Sequence, residues 1–203
     1  MVSGLKLFDL NGKTALITGS SQGIGYALAK GLADAGSDII LNGRNTEKLK
    51  HSAEAINTKQ NIFKLCFDVT NYEQTKRSID KFEKEISPID ILINNAGMQF
   101  RTALEDFPRE KFEELLKTNV SSVFNVSQVV AKYMIKRGEG KIINIASVQT
   151  SLARPGIAPY TATKGAVGNI TKGMATDWAK YGIQCNAIAV SYTHLTLPTI
   201  TEV

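Results

Sequence analysis

Six short apolar runs, KTALIT, DIILN, IFKLCFD, DILIN, KIINIA and IQCNAIA, recur between longer segments of helical periodicity. Each is nearly continuous in its apolarity rather than alternating, which is the pattern of a strand covered by helices on both faces. Such runs alternating with helices specify an α/β fold built on a doubly wound parallel sheet in a single domain. The connecting helices are predicted over residues 23–35, 46–58, 72–86, 108–117, 119–137 and 158–181.

A length of 203 residues, 43% hydrophobic and 21% charged, suits one globular domain. No apolar run approaches the roughly eighteen residues that cross a bilayer, and MVSGLKLFDLNGK has neither a basic leader nor an apolar signal core, so a cytoplasmic protein with no membrane partner is expected. The 24 Lys and Arg are scattered among 19 Asp and Glu. A net charge of +5 in that arrangement forms no basic stripe, and nucleic acid is not an expected partner. Cys66 and Cys185 lie in apolar runs without CxxC spacing and are expected to be buried, reduced thiols. With His51 and His194 the only imidazoles, neither a metal site nor a His-based triad is expected.

The first run leads directly into TGSSQGIG at 18–25 and then into the helix-forming YALAKGLADAG. In a Rossmann-like sheet that order puts a glycine turn where the helix N-terminus faces a pyrophosphate. Gly19 permits the tight turn, Gly23 the approach of backbone to phosphate, and Gly25 the close packing of the helix. Ser21 and Ile24 belong to the same candidate loop. Ligands of open α/β sheets collect outside the carboxyl ends of the strands, so two further strand ends are candidates. Asp68 with Val69 follows the third run, where the carboxylate can accept from an adenine amino group or can cap the next helix. Asn95, Ala96 and Gly97 follow the fourth, as a ribose contact or as a plain turn. At the end of the second run, ILNGRN has Gly43 where an acid would hold the ribose of NAD, and Arg44 next to it. That charge pattern favours NADP as cofactor, with NAD possible.

The fifth run ends in ASVQTSLARPGIAPYTATKGAV, which places Ser147 at a strand end and Tyr160 and Lys164 on one face of the next helix. A phenol with an ordinary pKa near 10 is a poor base at neutral pH, but a neighbouring ammonium favours its ionised form. Tyr160 is therefore the candidate general acid and base, and Ser147 can hydrogen-bond the substrate oxygen.

Together TGSSQGIG, Asp68-Val69, NNAG, Asn119, Ser147 and YTATK resemble the short-chain dehydrogenase/reductase family, continuously from about residue 8 to 189. The resemblance implies an NAD(P)-dependent oxidoreductase in which Tyr160, Lys164 and Ser147 are catalytic and Lys164 also holds the nicotinamide ribose. It further implies that Asn119 holds a water linking the lysine to solvent; read from the sequence alone, Asn119 can equally be a helix cap. Within the family the stretches LFDLNGKTALITGS, ILNGRN, DILINNAG and LARPGIAPYTATKGAV are most similar to members that interconvert gluconate and 5-ketogluconate. A polyhydroxy acid of that kind needs a cation for its carboxylate, for which Arg101 and Arg154 are candidates, with Gln149 for a hydroxyl. A 3-oxoacyl or polyol ketone reductase is the alternative substrate reading, and a nucleotide-binding protein without turnover is the reading from another class. The resemblance also implies a homodimer or homotetramer, to which residues 119–137 and 158–181 would contribute apolar faces. It stops at Ala189. Back-translated, VSYTHLTLPT resembles a sequencing-library adapter, so residues 190–203 are expected to be a non-native tail, poorly packed, on an incomplete domain over 1–189.

Overall fold

The apolar runs become strands because Ile, Leu and Val fill a sheet buried from both sides, and the computed structural model of the chain, which describes residues 8–191, contains all six. They are β1 (Thr14–Ile17), β2 (Asp38–Gly43), β3 (Ile62–Cys66), β4 (Ile91–Asn94), β5 (Gly140–Ser147) and β6 (Ile183–Val190). The helices between them are α1 (Gly23–Asp34), α2 (Thr46–Ala55), α3 (Tyr72–Glu85), α4 (Arg109–Leu116), α5 (Ser122–Arg137) and α6 (Ala158–Trp178). All strand pairings are parallel, in the order β3-β2-β1-β4-β5-β6. The order reverses between β1 and β4, so the helices that follow those two strands pack on opposite faces of the sheet and a crevice forms at the strands' carboxyl ends.

Two apolar layers sandwich the sheet. One joins Leu16, Ile40, Leu92 and Ile142 to Ile79 and Phe82 of α3, Val126, Val130 and Met134 of α5, and Val167 and Met174 of α6. The other joins Ala15, Ile17, Ile39 and Leu41 to Ala29 and Ala33 of α1 and Leu49 of α2. Coverage on both faces therefore holds for the central strands and fails at the margins. β3 is an edge strand of mixed burial, and on β6 Ile188 is 48% exposed. For the same reason Cys66, expected inside, is exposed at the end of edge strand β3, whereas Cys185 is buried; both are free thiols.

Two boundaries differ from expectation. Residues 108–117 and 119–137 are not separate helices: α4 runs into α5 through a π-helical turn at Lys117–Ser121, so Asn119 lies inside the helical path and is not a cap. Val190, assigned by sequence to the tail, is the last residue of β6 and pairs with Ser147. Ser191 follows it outside the strand, half-buried, and the rest of the expected tail, 192–203, lies outside the described residues. Among the described residues no helix is long and apolar enough to cross a membrane.

Candidate active site

The crevice at the reversal point is a cleft of about 530 Å³ whose walls include Gly19, Ser21, Gly23, Ile24, Arg44, Asp68, Val69, Asn95, Ala96 and Gly97. All but one of the loop residues singled out in the sequence for a nucleotide thus share one cavity. The exception, Gly25, lies behind it and acts through packing. A Cβ there would come within 2.5 Å of Asn95 Nδ2 and would also strike the carbonyl of Gly19. Gly19 has φ +62° and faces Ala96, whose Cα would be 2.9 Å from an added Cβ. The β1 and β4 loops therefore touch backbone to backbone, leaving the cleft beside them.

Buried polar side chains that the sequence reading passed over hold these loops. Thr18 Oγ1 accepts from the amides of Asn95 and Ala96, both at 3.0 Å, while Asn95 Nδ2 donates to the carbonyls of Thr18 and Gly19, also at 3.0 Å. Ser20 Oγ donates to the Ile17 carbonyl at 2.7 Å and accepts from the Asn42 amide at 3.0 Å. Asn42 Nδ2 reaches the carbonyls of Leu65 and Phe67, each at 3.1 Å, tying the end of β2 to that of β3. Asn42, Asn94 and Asn144 each interrupt an otherwise apolar strand near its carboxyl end. That recurrence was the available signal, because a buried amide must be hydrogen-bonded and so marks a fixed junction.

The entry of α1 is electrostatically prepared for an anion. Its N-cap, Gln22, makes no side-chain capping bond and its first turn has no acidic residue. In contrast, Asn45 caps α2 and Asn71 caps α3, accepting from Lys48 N at 2.9 Å and Gln74 N at 3.0 Å. The N–H groups and positive dipole end of α1 are thus left to the cleft. At the far wall Arg44 is extended, its side chain 79% exposed, with Nη1 3.9 Å from Asp68 Oδ2. Although Gly43 leaves no acid at the end of β2 itself, the parallel β2–β3 pairing brings Asp68 beside Arg44. Asp68 Oδ1 accepts from Thr70 N at 2.8 Å, and capping of α3 falls to Asn71.

The residues that the sequence offers for the chemistry lie past Gly97. A Cβ on that glycine would sit 3.3 Å from Asn119 Oδ1 and 4.0 Å from Lys164 Nζ, so cleft and lysine are contiguous. Lys164 is 7% exposed, and its ammonium donates to the Ile145 carbonyl at 2.7 Å. Burial without a carboxylate partner pulls its pKa down to about 8. Its Nζ stands 5.8 Å from the centre of the Tyr160 ring, as expected for positions four apart on α6. Asn119, 1% exposed, accepts from Met98 N at 2.8 Å and donates to Met98 O at 2.9 Å and Thr163 Oγ1 at 3.1 Å. Thr163 in turn donates to the Tyr160 carbonyl at 2.7 Å. The π turn makes this possible by shifting Asn119 inward from the α-helical path.

Ser147 is buried at the end of β5, where its Oγ accepts from the Gln149 amide at 3.2 Å. That bond occupies a lone pair and leaves the hydroxyl hydrogen to donate. Gln149 Oε1 is buried and has no hydrogen-bond partner among the described residues. Arg101 and Arg154 are both exposed, on loops that meet where Thr102 N donates to Gly156 O at 3.2 Å. Arg101 packs along Gly156, its Cγ 3.3 Å from where a Cβ would stand. Phe100, beside Arg101, stacks edge-on against Phe107 with ring centres 5.4 Å apart.

Residues 13–199 match the family described as short chain dehydrogenase. Over 189 residues the chain is 54% identical to gluconate 5-dehydrogenase of Gluconobacter oxydans (strain 621H), covering 92% of this chain and 73% of that protein. It is 42% identical over 188 residues to 5-keto-D-gluconate 5-reductase of Escherichia coli (strain K12), covering 92% and 74%. The crystal structure of a gluconate 5-dehydrogenase from Burkholderia cenocepacia J2315, in complex with NADP and tartrate, superposes with a TM-score of 0.89 at 51% identity, covering 92% of this chain and 74% of that one.

Proposed function

This chain belongs to the short chain dehydrogenase family, and on that premise we propose that it interconverts gluconate and 5-ketogluconate with NADP(H), through Tyr160, Ser147, Lys164 and Asn119. The observation that carries the reading is the meeting, at Gly97, of a backbone-walled cleft with a buried ammonium four residues from a tyrosine on the same helix. A glycine cradle and an uncapped α1 entry fit a dinucleotide, with Arg44 supplying charge for a ribose phosphate and Asp68 and Asn95–Gly97 supporting adenosine and ribose. NADP(H), when bound, gives or takes the hydride.

In the reducing direction Tyr160 passes its phenolic proton to the ketone oxygen, which the Ser147 hydroxyl holds by donating its free hydrogen. Lys164 lowers the cost of the phenolate left behind, since an ammonium at short range stabilises the anion. An ammonium brought down to about 8 gives up its proton readily, and Asn119 would hold a water that connects it to solvent. In the oxidising direction the same groups act in reverse, with Tyr160 as base. A sugar acid suits the outer site: the exposed Arg101 and Arg154 offer cations for a carboxylate, and the unsatisfied Gln149 Oε1 offers an acceptor for a hydroxyl.

Self-association belongs to the same reading. Phe112, Leu116 and Phe124 are exposed along α4 and α5 at intervals of one or two turns, as an apolar stripe suited to a second copy. In the span 158–181, Tyr181 is the exposed large apolar side chain. Light scattering at micromolar concentration is expected to give a dimer or tetramer for a version extended to its relatives' full length; a monomer would refute this part of the reading. A cytoplasmic setting, where NADP(H) is supplied, accompanies it.

The experiment is NADPH oxidation over a ketone panel of 5-ketogluconate, 3-oxoacyl thioesters and polyol ketones, with the 203-residue chain and with a version extended to its relatives' full length. Preferred turnover of 5-ketogluconate supports the proposal. Preference for a thioester or polyol ketone selects the alternative substrate, and cofactor binding without turnover in both versions overturns the enzymatic reading.

A further inference from the structure

Beside Ser147 stands Thr150, a residue with no part in the chemistry proposed above, whose side chain bridges the two segments that carry it. Its Oγ1 donates to the main-chain carbonyl of Lys164 at 3.1 Å and accepts from the amide of Ser147 at 3.4 Å. One hydroxyl has one hydrogen and two lone pairs, so the two bonds are compatible and use the group fully on its inner side. The methyl group is also engaged: Thr150 Cγ2 lies 2.6 Å from the place of a Cβ on Gly168, four residues beyond Lys164 on the same face of α6. Only a glycine there lets the turn after β5 come this close to the helix.

We propose that Thr150 is a positioning residue, whose hydroxyl fixes the end of β5, with Ser147, against the turn of α6 that carries Tyr160 and Lys164. The inference rests on the reading of Ser147 and Tyr160 as the pair that grips the substrate oxygen. Their separation depends on how a strand end is held against a helix, and several side chains bond across that junction. Lys164 makes one such bond through Nζ to the Ile145 carbonyl at 2.7 Å. That contact uses the ammonium, which the proposed chemistry also requires for cofactor and proton. The Thr150 bond is made to the lysine's main chain, so it holds wherever the ammonium points. On the opposite side Thr163 ties the same turn to Asn119, so two threonine hydroxyls brace α6 from two directions.

The test is a set of variants assayed with NADPH and the preferred ketone of the panel. Thr150→Val keeps the methyl over Gly168 and removes the hydroxyl; Thr150→Ser does the reverse. The expected result is a fall in kcat of about tenfold or more for the valine variant, since small misplacements of reacting groups are amplified in rate. KM for NADPH should stay within about twofold, and the serine variant should lie within about threefold of wild type. Gly168→Ala, which pushes on the methyl, should also lower kcat, and combining it with Thr150→Ser should restore it. Equal impairment of the valine and serine variants, or no recovery in the double variant, would show that the hydroxyl does not position Ser147. Tyr160→Phe runs alongside. If it is inactive while Thr150→Val keeps full kcat, this inference alone fails; if it is active, the catalytic reading fails and takes this one with it.

Discussion

At the end of the cleft proposed for phosphate the closest approaches are between main-chain segments, and at the end proposed for chemistry the groups on offer are side chains. Gly19 and Gly25 bring the β1 loop, the β4 loop and α1 together so closely that added carbons would collide, and what they offer a ligand is amide N–H groups and a helix dipole. Around Ser147 and Lys164 the groups proposed to work are a hydroxyl and an ammonium, each buried and held by a bond to a neighbour. The first kind of site needs absence of bulk and tolerates solvent. The second needs polar atoms in a water-poor setting, where an unmatched group is costly, so most atoms are tied and the untied Gln149 Oε1 is the exception. Mutations should therefore act differently at the two ends, by steric closure at one and by loss of chemistry or of a tie at the other.

The largest effect is expected at the chemical end. Tyr160→Phe removes only the proton-transfer group and should lower turnover by about 10²- to 10⁴-fold with NADPH affinity kept. Loss of cofactor binding in parallel would erase the proposed division between the two ends. Next comes closure of the phosphate end. Gly25→Ala should cost about 1–3 kcal/mol through overpacking against Gly19 and Asn95, lowering Tm and NADPH affinity together. Gly31, on the same helix, has nothing within 4 Å of an added Cβ, so Gly31→Ala should stabilise by about 0.5–1 kcal/mol. Equal effects from the two alanines would mean that close approach is not what Gly25 provides.

A smaller effect concerns the buried ammonium. Its folded pKa, about 8, lies below the ordinary 10.5, so the folded chain releases this proton first and stability rises as pH climbs through about 8. The gain should be about 1 kcal/mol between about pH 8 and 9, measured by chemical denaturation of the cofactor-free protein. Above that range Cys185 opposes it, because burial pushes the thiol up to about 11 and unfolding then frees a more acidic group. Lys164→Met should flatten the rise, and an unchanged slope would show that another group is responsible. The smallest effect belongs to Arg44. Exposed and already shared with Asp68, it should contribute about twofold to fivefold to the KM for NADPH and nothing to that for NADH. Equal changes for both cofactors would remove its assignment to the phosphate.

The same contrast explains what could be read before the structure. Strands buried on two faces are continuous apolar runs, and a loop whose walls are backbone must spell itself in glycine, so the sheet, the helices and most of the cleft were visible in order. The placement of Tyr160 and Lys164 on one helix and of Ser147 at a strand end was legible because spacing four and a strand end are local. The ties were not. Thr18, Ser20 and Thr163 are common polar residues whose partners lie far along the chain or across a loop, and nothing in their immediate neighbourhood announces a buried bond; Asn42 is announced as buried by its apolar strand, but its partners are not. Asn119 was ambiguous because a polar residue between two periodic segments looks like a cap, and only the π turn turns it inward. Cys66 was misplaced because an apolar neighbourhood does not reveal that its strand lies on the sheet edge.

The central claim is that the two ends serve one hydride transfer, and isotope tracing tests it most directly. NADPH carrying deuterium at the transferable nicotinamide position is incubated with 5-ketogluconate and the extended protein, and the product is read by mass spectrometry and NMR. The account predicts gluconate with one deuterium on the newly formed carbinol carbon and none of the label in solvent. Consumption of NADPH without deuterium in the product would contradict it.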